Sequence, residues 1–197
     1  MSVRESTPVF ATVAVLSLLA ALVTFVPALG VALEYRRDPL THEWWRAITA
    51  HLVHTGWRHL LLDLAGLWLI ALVFRRYFSF GWLLGGCLWL GVTISLGLFL
   101  GQPSVEWYRG LSGILHGLLV WGLLRMLPDA KWLSSLALAA LAAKLVADGF
   151  TLPRNDWIGA PVVTAAHVYG ALGGASFYVI WRLSRRSRTP REPQRAE

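Results

Sequence analysis

Apolar positions fall in long blocks along the chain, separated by short polar turns. Ser6 to Leu33, Tyr77 to Val105 and Trp157 to Trp181 each contain no Asp, Glu, Lys or Arg. A helix needs about 20 mostly apolar residues to cross a hydrocarbon core of about 30 Å, so each block is long enough to span. Three further blocks are shorter or interrupted. Leu60 to Phe74 contains Asp63, Gly110 to Leu124 is clean but short, and Trp132 to Phe150 contains Lys144 and Asp148. The pattern predicts an all-α polytopic membrane protein with six transmembrane helices, near 9–33, 57–74, 79–100, 111–127, 132–150 and 162–183.

Composition supports that reading. Of 197 residues, 56% are hydrophobic and 15% charged, and the mean hydropathy is +0.54. Soluble domains carry about 25% charged residues, so a soluble enzyme and a disordered chain are both excluded. One cysteine, Cys87, allows no intramolecular disulfide, and with no basic neighbour it is not a reactive thiolate. The formal charge of +7 is placed asymmetrically. With six spans both termini share one side, and that side holds Arg4, Arg75, Arg76, Arg125, Lys131 and the arginines from Arg182 onward. The other side holds Arg36, Arg37, Arg46, Arg58, Arg109 and Arg154, largely offset by acidic neighbours. The positive-inside rule therefore puts both termini in the cytoplasm. A domain over 1–183 precedes a basic flexible tail, 184–197, whose contact is anionic lipid and not nucleic acid. Cleavage after Ala28-Leu29-Gly30, as of a signal peptide, is the alternative for the first block.

Two regions carry functional expectations. Gly110 to Leu124 spans only about 22 Å as a helix, so its outer end starts below the membrane surface and 101–104 dips inward. Irregular backbone at that depth is tolerated only inside protein or beside a wet cavity. Thr41 to Trp57 is an aromatic, histidine-bearing loop suited to the outer interface.

Candidate chemistry clusters in these regions. Ser112, between Gly110-Leu111 and Gly113, opens the short fourth helix, where unpaired N–H groups and the positive dipole end converge and could stabilise an oxyanion. His167 shares a helical face with Gly170, Ala171 and Gly174, a small-residue face that permits close helix approach. A serine at one helix end and an imidazole on a close-packing helix can form a nucleophile–base pair; no acidic third member is evident, so the pair is a dyad. His59 and Asp63 share a face at the start of the second helix. His51 and His54 are loop-packing residues or ligands, but the histidine spacings match no zinc motif, and no metal or other cofactor is expected. His116, four residues after Ser112, lines the cavity, supports the site or serves as an alternative base. Lys144 and Asp148 neutralise each other.

Taken together these residues resemble the rhomboid family of intramembrane serine proteases. The resemblance covers 9–183 and rests on Glu43-x-Trp45-Arg46-x-x-Thr49 in the first loop, on His54 and His59, on Gly110-x-Ser112-Gly113, and on Ala166-His167-x-x-Gly170-x-x-x-Gly174. The run from Gly110 to Gly117, with His116, and the compact size are similar to the rhombosortase type. The resemblance implies a rhomboid-like six-helix bundle with Ser112 as nucleophile and His167 as general base and then acid. It also implies His59 as an oxyanion-side group beside the Ser112 N–H. Many rhomboids have asparagine where Asp63 stands, and an ionised aspartate cannot donate; either Asp63 is protonated or it orients His59. The implied substrates are secreted bacterial proteins ending in a Gly-Gly signal, a transmembrane segment and a basic tail. Their cleavage would occur at the periplasmic side of the inner membrane, with the acyl-enzyme resolved by water or by an amine. An inactive rhomboid-like chaperone or sorting factor that binds transmembrane helices is the alternative, and a haem or metal membrane protein is a third class. The sequence carries no signal for an oligomeric state.

Overall fold

A computed structural model describes residues 3–150, 154–155 and 160–186. The tail beyond 186 lies outside the described residues. Eight helices occur among the described residues: α1 Val3–Phe25, α2 Pro27–Leu33, α3 Arg46–Thr49, α4 Trp57–Phe74, α5 Phe80–Gly101, α6 Ser112–Met126, α7 Lys131–Phe150 and α8 Thr164–Arg186. Two antiparallel pairings of two-residue strands join loops, Tyr35–Arg36 (β1) with Trp107–Tyr108 (β2), and Arg154–Asn155 (β3) with Ala160–Pro161 (β4). Among the described residues, four helices are long and apolar enough to cross a membrane: Thr7–Phe25, α4, α5 and α7. The chain is a multi-pass, all-α membrane protein.

Five of the six expected helices lie within a few residues of their predicted bounds. The first does not. The block expected as one helix over 9–33 is two, broken at Val26, which is extended (φ −111°, ψ 93°) ahead of Pro27 at the start of α2. A residue before proline is driven out of the helical region by the pyrrolidine ring, and proline is accommodated in the first turn of the next helix.

The interior is formed where α4, α5, α6 and α8 meet. Leu67 and Phe74 of α4, Leu90, Ile94 and Leu98 of α5, and Leu118 and Trp121 of α6 are fully buried. Outward-facing positions stay apolar, with Leu18 and Leu100 each 71% exposed, as a lipid-facing surface requires. Against lipid there is no hydrophobic gain from bringing helices together, so contact depends on close van der Waals packing. The α6–α8 crossing shows this. A Cβ added at Gly170 would collide with the Gly113 carbonyl, and one at Gly174 with the Gly117 carbonyl. Reciprocally, a Cβ at Gly113 would lie 2.9 Å from the Ala166 oxygen, and one at Gly117 2.7 Å from the Gly170 oxygen. Tyr169 of α8 is packed as closely over Gly97 and Gly101 of α5.

The segment after α5 is held by Arg37, one of the charges expected on the outer side. Arg37 donates to the carbonyls of Leu98, Phe99, Gln102 and Val105, at 2.9, 2.9, 2.7 and 3.3 Å. The last carbonyls of a helix lack intrahelical partners, and one guanidinium supplies them. Beside it Glu34 accepts from Arg36 at 2.8 Å and Arg109 at 2.6 Å. Burial pushes its carboxyl pKa up, but the two arginines bring it below the usual value. The first-loop motif has a comparable role. Arg46 pairs with Glu43 and donates to Val31 O and Glu34 O at 2.9 and 2.8 Å, while the Thr49 hydroxyl donates to Leu33 O at 2.8 Å. Together they cap the end of α2. Trp45 stands beside them, 39% exposed.

Candidate active site

Ser112 is the first residue of α6, and the turn before it is built by Gly110. That glycine has φ +127°, a region unfavourable to side chains, and a Cβ there would lie 2.8 Å from His59 Cε1. Its carbonyl accepts the Tyr108 hydroxyl at 2.8 Å, and its N–H donates to Ala50 O at 3.3 Å. The backbone leading to Ser112 is thus fixed from two sides.

His167 lies one turn into α8, 6% exposed, and its Nε2 is 3.0 Å from Ser112 Oγ. The α6–α8 glycine contacts begin one helical turn away, at Gly113 and Gly170, and set this separation. Among the described residues His167 Nδ1 is buried without a hydrogen-bond partner, and none of their carboxylates completes a triad. The His116 ring stacks on His167, centroids 4.2 Å apart and planes within 10°. His116 Nδ1 is 2.8 Å from the Ser112 carbonyl, an arrangement in which the ring N–H donates. That nitrogen is bonded to the backbone and the ring face lies on His167, which places His116 beside both Ser112 and His167.

The histidines of the first loop separate into two groups. His54 Nε2, His59 Nε2 and the Leu111 N–H converge on one oxygen of Asp63, at 3.2, 3.4 and 2.9 Å. Thr55 Oγ lies 3.1 Å from His59 Nδ1, so hydroxyl donation there leaves Nε2 to carry its proton toward Asp63. The expectation that His59 points a donor into the space around Ser112 is therefore modified. Its ring covers Gly110, and both nitrogens face Thr55 and Asp63. His51 belongs elsewhere: its Nε2 is 3.1 Å from Gly91 O on α5, and burial depresses its pKa to about 4 against partial compensation from backbone bonds to Gly91, Gly110 and Ala47. It is a loop anchor.

Ser112, His167, His116, Gly110, Gly113, His59, His54 and Asp63 are brought together; Glu43, Trp45 and Arg46 act at a distance through the loop. Tyr108 was missed. Its phenol, raised in pKa chiefly by burial, contacts Ser112 and Gly113 as well as Gly110. One tyrosine in an interfacial loop offers no distinguishing sequence signal.

Lys144 and Asp148 pair at 2.5 Å, as their four-residue spacing predicts. No curated protein matches the chain. The Rhomboid domain family model matches residues 41–184, a stretch that begins in the histidine-bearing loop and ends within α8. With that match spanning most of its length, the chain belongs to the rhomboid family.

Proposed function

We propose that the protein is an intramembrane serine endopeptidase of the rhombosortase type, working through a Ser112–His167 dyad. The observation that carries this reading is the 3.0 Å contact between Ser112 Oγ and His167 Nε2, made by residues 55 apart in sequence within a lipid-facing bundle. In the proposed reaction His167 Nε2 takes the hydroxyl proton as Oγ attacks the scissile carbonyl. The imidazolium then returns the proton to the departing amine, leaving an acyl-serine. Water, or an amine acceptor, regenerates the hydroxyl. The Leu111 N–H is engaged by Asp63, so the N–H of Ser112 at the start of α6 is the backbone donor for the oxyanion, and His59 acts on it only through the Gly110 turn that its ring covers. Asp63 accepts the Leu111 N–H and lies against the imidazoles of His54 and His59, so it positions His59 and fixes the turn.

Substrates in this proposal are secreted proteins whose C-terminal transmembrane segment follows a Gly-Gly signal. Glycine disfavours helix by about 1 kcal/mol per residue, so the top of such a segment unwinds and presents extended peptide to Ser112. The proposal includes six spans, with α6 and α8 crossing beside the four long apolar helices. It places both termini in the cytoplasm of a bacterium, the site facing the periplasm, and 184–197 as a separate basic tail. Ser112→Ala tests it. The variant is expected to stay folded and membrane-inserted while losing cleavage of a Gly-Gly-tailed substrate and covalent labelling by a fluorophosphonate. Nucleophile loss in serine proteases costs about 10⁶-fold in kcat, and cleavage or labelling undiminished in the variant would reject Ser112.

A further inference from the structure

At the end of the bundle away from Ser112, about 20 Å along α6, a cavity of about 350 Å3 opens between the α4–α5 turn, α6 and α8. Three arginines line it, Arg76, Arg125 and Arg185, together with Ser79, Trp82 and Trp181. Among the described residues no carboxylate lines it. The neighbouring Asp129 is bonded by the Tyr77 hydroxyl at 2.6 Å. Arg125 is fixed, its guanidinium 4.1 Å over the Trp181 ring and 5.7 Å from that of Trp121, yet its buried Nε has no hydrogen-bond partner among the described residues. Arg185 is close enough to Arg125 for mutual repulsion. Ser79 immediately precedes α5 and its side chain makes no cap hydrogen bond, so the positive end of that helix opens on the same space.

Three cations, an orphaned donor and a helix start around one concavity constitute a site awaiting a multivalent oxygen anion. Arginine forks match phosphate geometry. We infer that this cavity binds the phosphodiester headgroup of an anionic phospholipid. The flanks favour a lipid over free phosphate: Phe80 and Leu183 are 53% and 57% exposed, giving acyl chains an apolar surface beside the charged mouth. Basic pockets between transmembrane helices bind such headgroups by the same logic. The inference is independent of the chemistry at Ser112.

The test is native mass spectrometry of the full-length protein from micelles holding equal amounts of palmitoyl-oleoyl phosphatidylglycerol and phosphatidylcholine. Retained phosphatidylglycerol is expected on the wild type. In Arg76→Ala/Arg185→Ala, which removes two exposed side chains, its affinity should fall about thirtyfold, the loss expected for two surface cations. Arg75→Ala/Lys131→Ala removes equal charge nearby but outside the cavity and should retain the lipid. Equal losses in the two double variants, or equal retention of the two lipids by wild type, would overturn the site. A thermal stabilisation by inorganic phosphate matching that by phosphatidylglycerol would overturn its assignment to lipid.

Discussion

Gly170→Ala probes the packing that joins the two halves of the proposed dyad. The new Cβ would lie 2.8 Å from the Gly113 carbonyl carbon and closer still to its oxygen, whereas ordinary contact begins at 3.4 Å. Neither partner can swing aside, because both are backbone. The helices must separate by about 1 Å, the kind of backbone shift that overpacking forces. Gly170 is one turn from His167, so Ser112 Oγ and His167 Nε2, now 3.0 Å apart, would part to roughly 4 Å, beyond hydrogen-bond range. A 1 Å misplacement costs about 10²-fold in rate, and the overpacking about 1–3 kcal/mol in stability. The assay is the second-order rate of fluorophosphonate labelling of purified protein, normalised to the folded fraction. Gly81→Ala is the control, since a Cβ there meets nothing within 4 Å, and its rate should match wild type. A folded Gly170→Ala protein labelled at the wild-type rate would refute the claim that the α6–α8 crossing sets the reactive distance.

Three further outcomes follow from the same contacts. His167→Ala is expected to abolish labelling, whereas His116→Phe, which keeps a ring on His167 and loses only the bond to Ser112 O, should stay within tenfold of wild type; a dead His116→Phe with active His167→Ala would exchange their roles. Asp63→Ala strands the Leu111 N–H and removes the carboxylate from beside two imidazoles, and should lower stability by about 3 kcal/mol in reversible unfolding. Asp63→Asn keeps an acceptor and should lose about half as much, so equal losses would contradict the tether. Stability should also fall on acidification from pH 6.5 toward 4. His51 is held neutral to about pH 4 while its unfolded counterpart protonates near 6.5, so the unfolded state binds the extra proton and gains up to about 3 kcal/mol across that window. His51→Gln should flatten the slope there, whereas Glu34, whose carboxyl is lowered by its arginines, contributes only further down.

The helices were legible because lipid demands unbroken apolar runs, and the blocks around 57–74, 79–100, 111–127, 132–150 and 162–183 coincide with α4 to α8 to within a few residues. The break at Val26-Pro27 was readable in principle. Its apolar flanks outweighed the proline in a reading based on hydropathy alone. The Gly170–Gly174 face was also legible, but its partners were not: that Gly113 and Gly117 receive it is a property of contacts between residues 57 apart in sequence. The polar tethers were the least accessible. Arg37 reaches carbonyls more than 60 residues downstream, and Asp63 meets the Leu111 N–H 48 residues on. Such partners are chosen by tertiary position, and neither residue type nor spacing announces them.

Two kinds of hold therefore act on one hydroxyl. His167 is carried by α8 and held against α6 by small residues through van der Waals contact, the means that lipid leaves available. The turn carrying Ser112 is instead held from the loop side, by Asp63 on Leu111, Tyr108 on Gly110 and Ala50 on the Gly110 N–H. A buried carboxylate that lost one donor would keep a costly unmet charge, so the polar hold resists partial loosening, whereas the glycine crossing can slide. Substitutions at the crossing should alter the Ser112–His167 distance while Asp63 stays bonded; substitutions at Asp63 should shift the turn while His116 still stacks on His167. The two classes act through different contacts, so a double variant, Gly170→Ala with Asp63→Asn, should show stability losses that add to within about 0.5 kcal/mol, and a strongly non-additive cycle would show that the two holds are one.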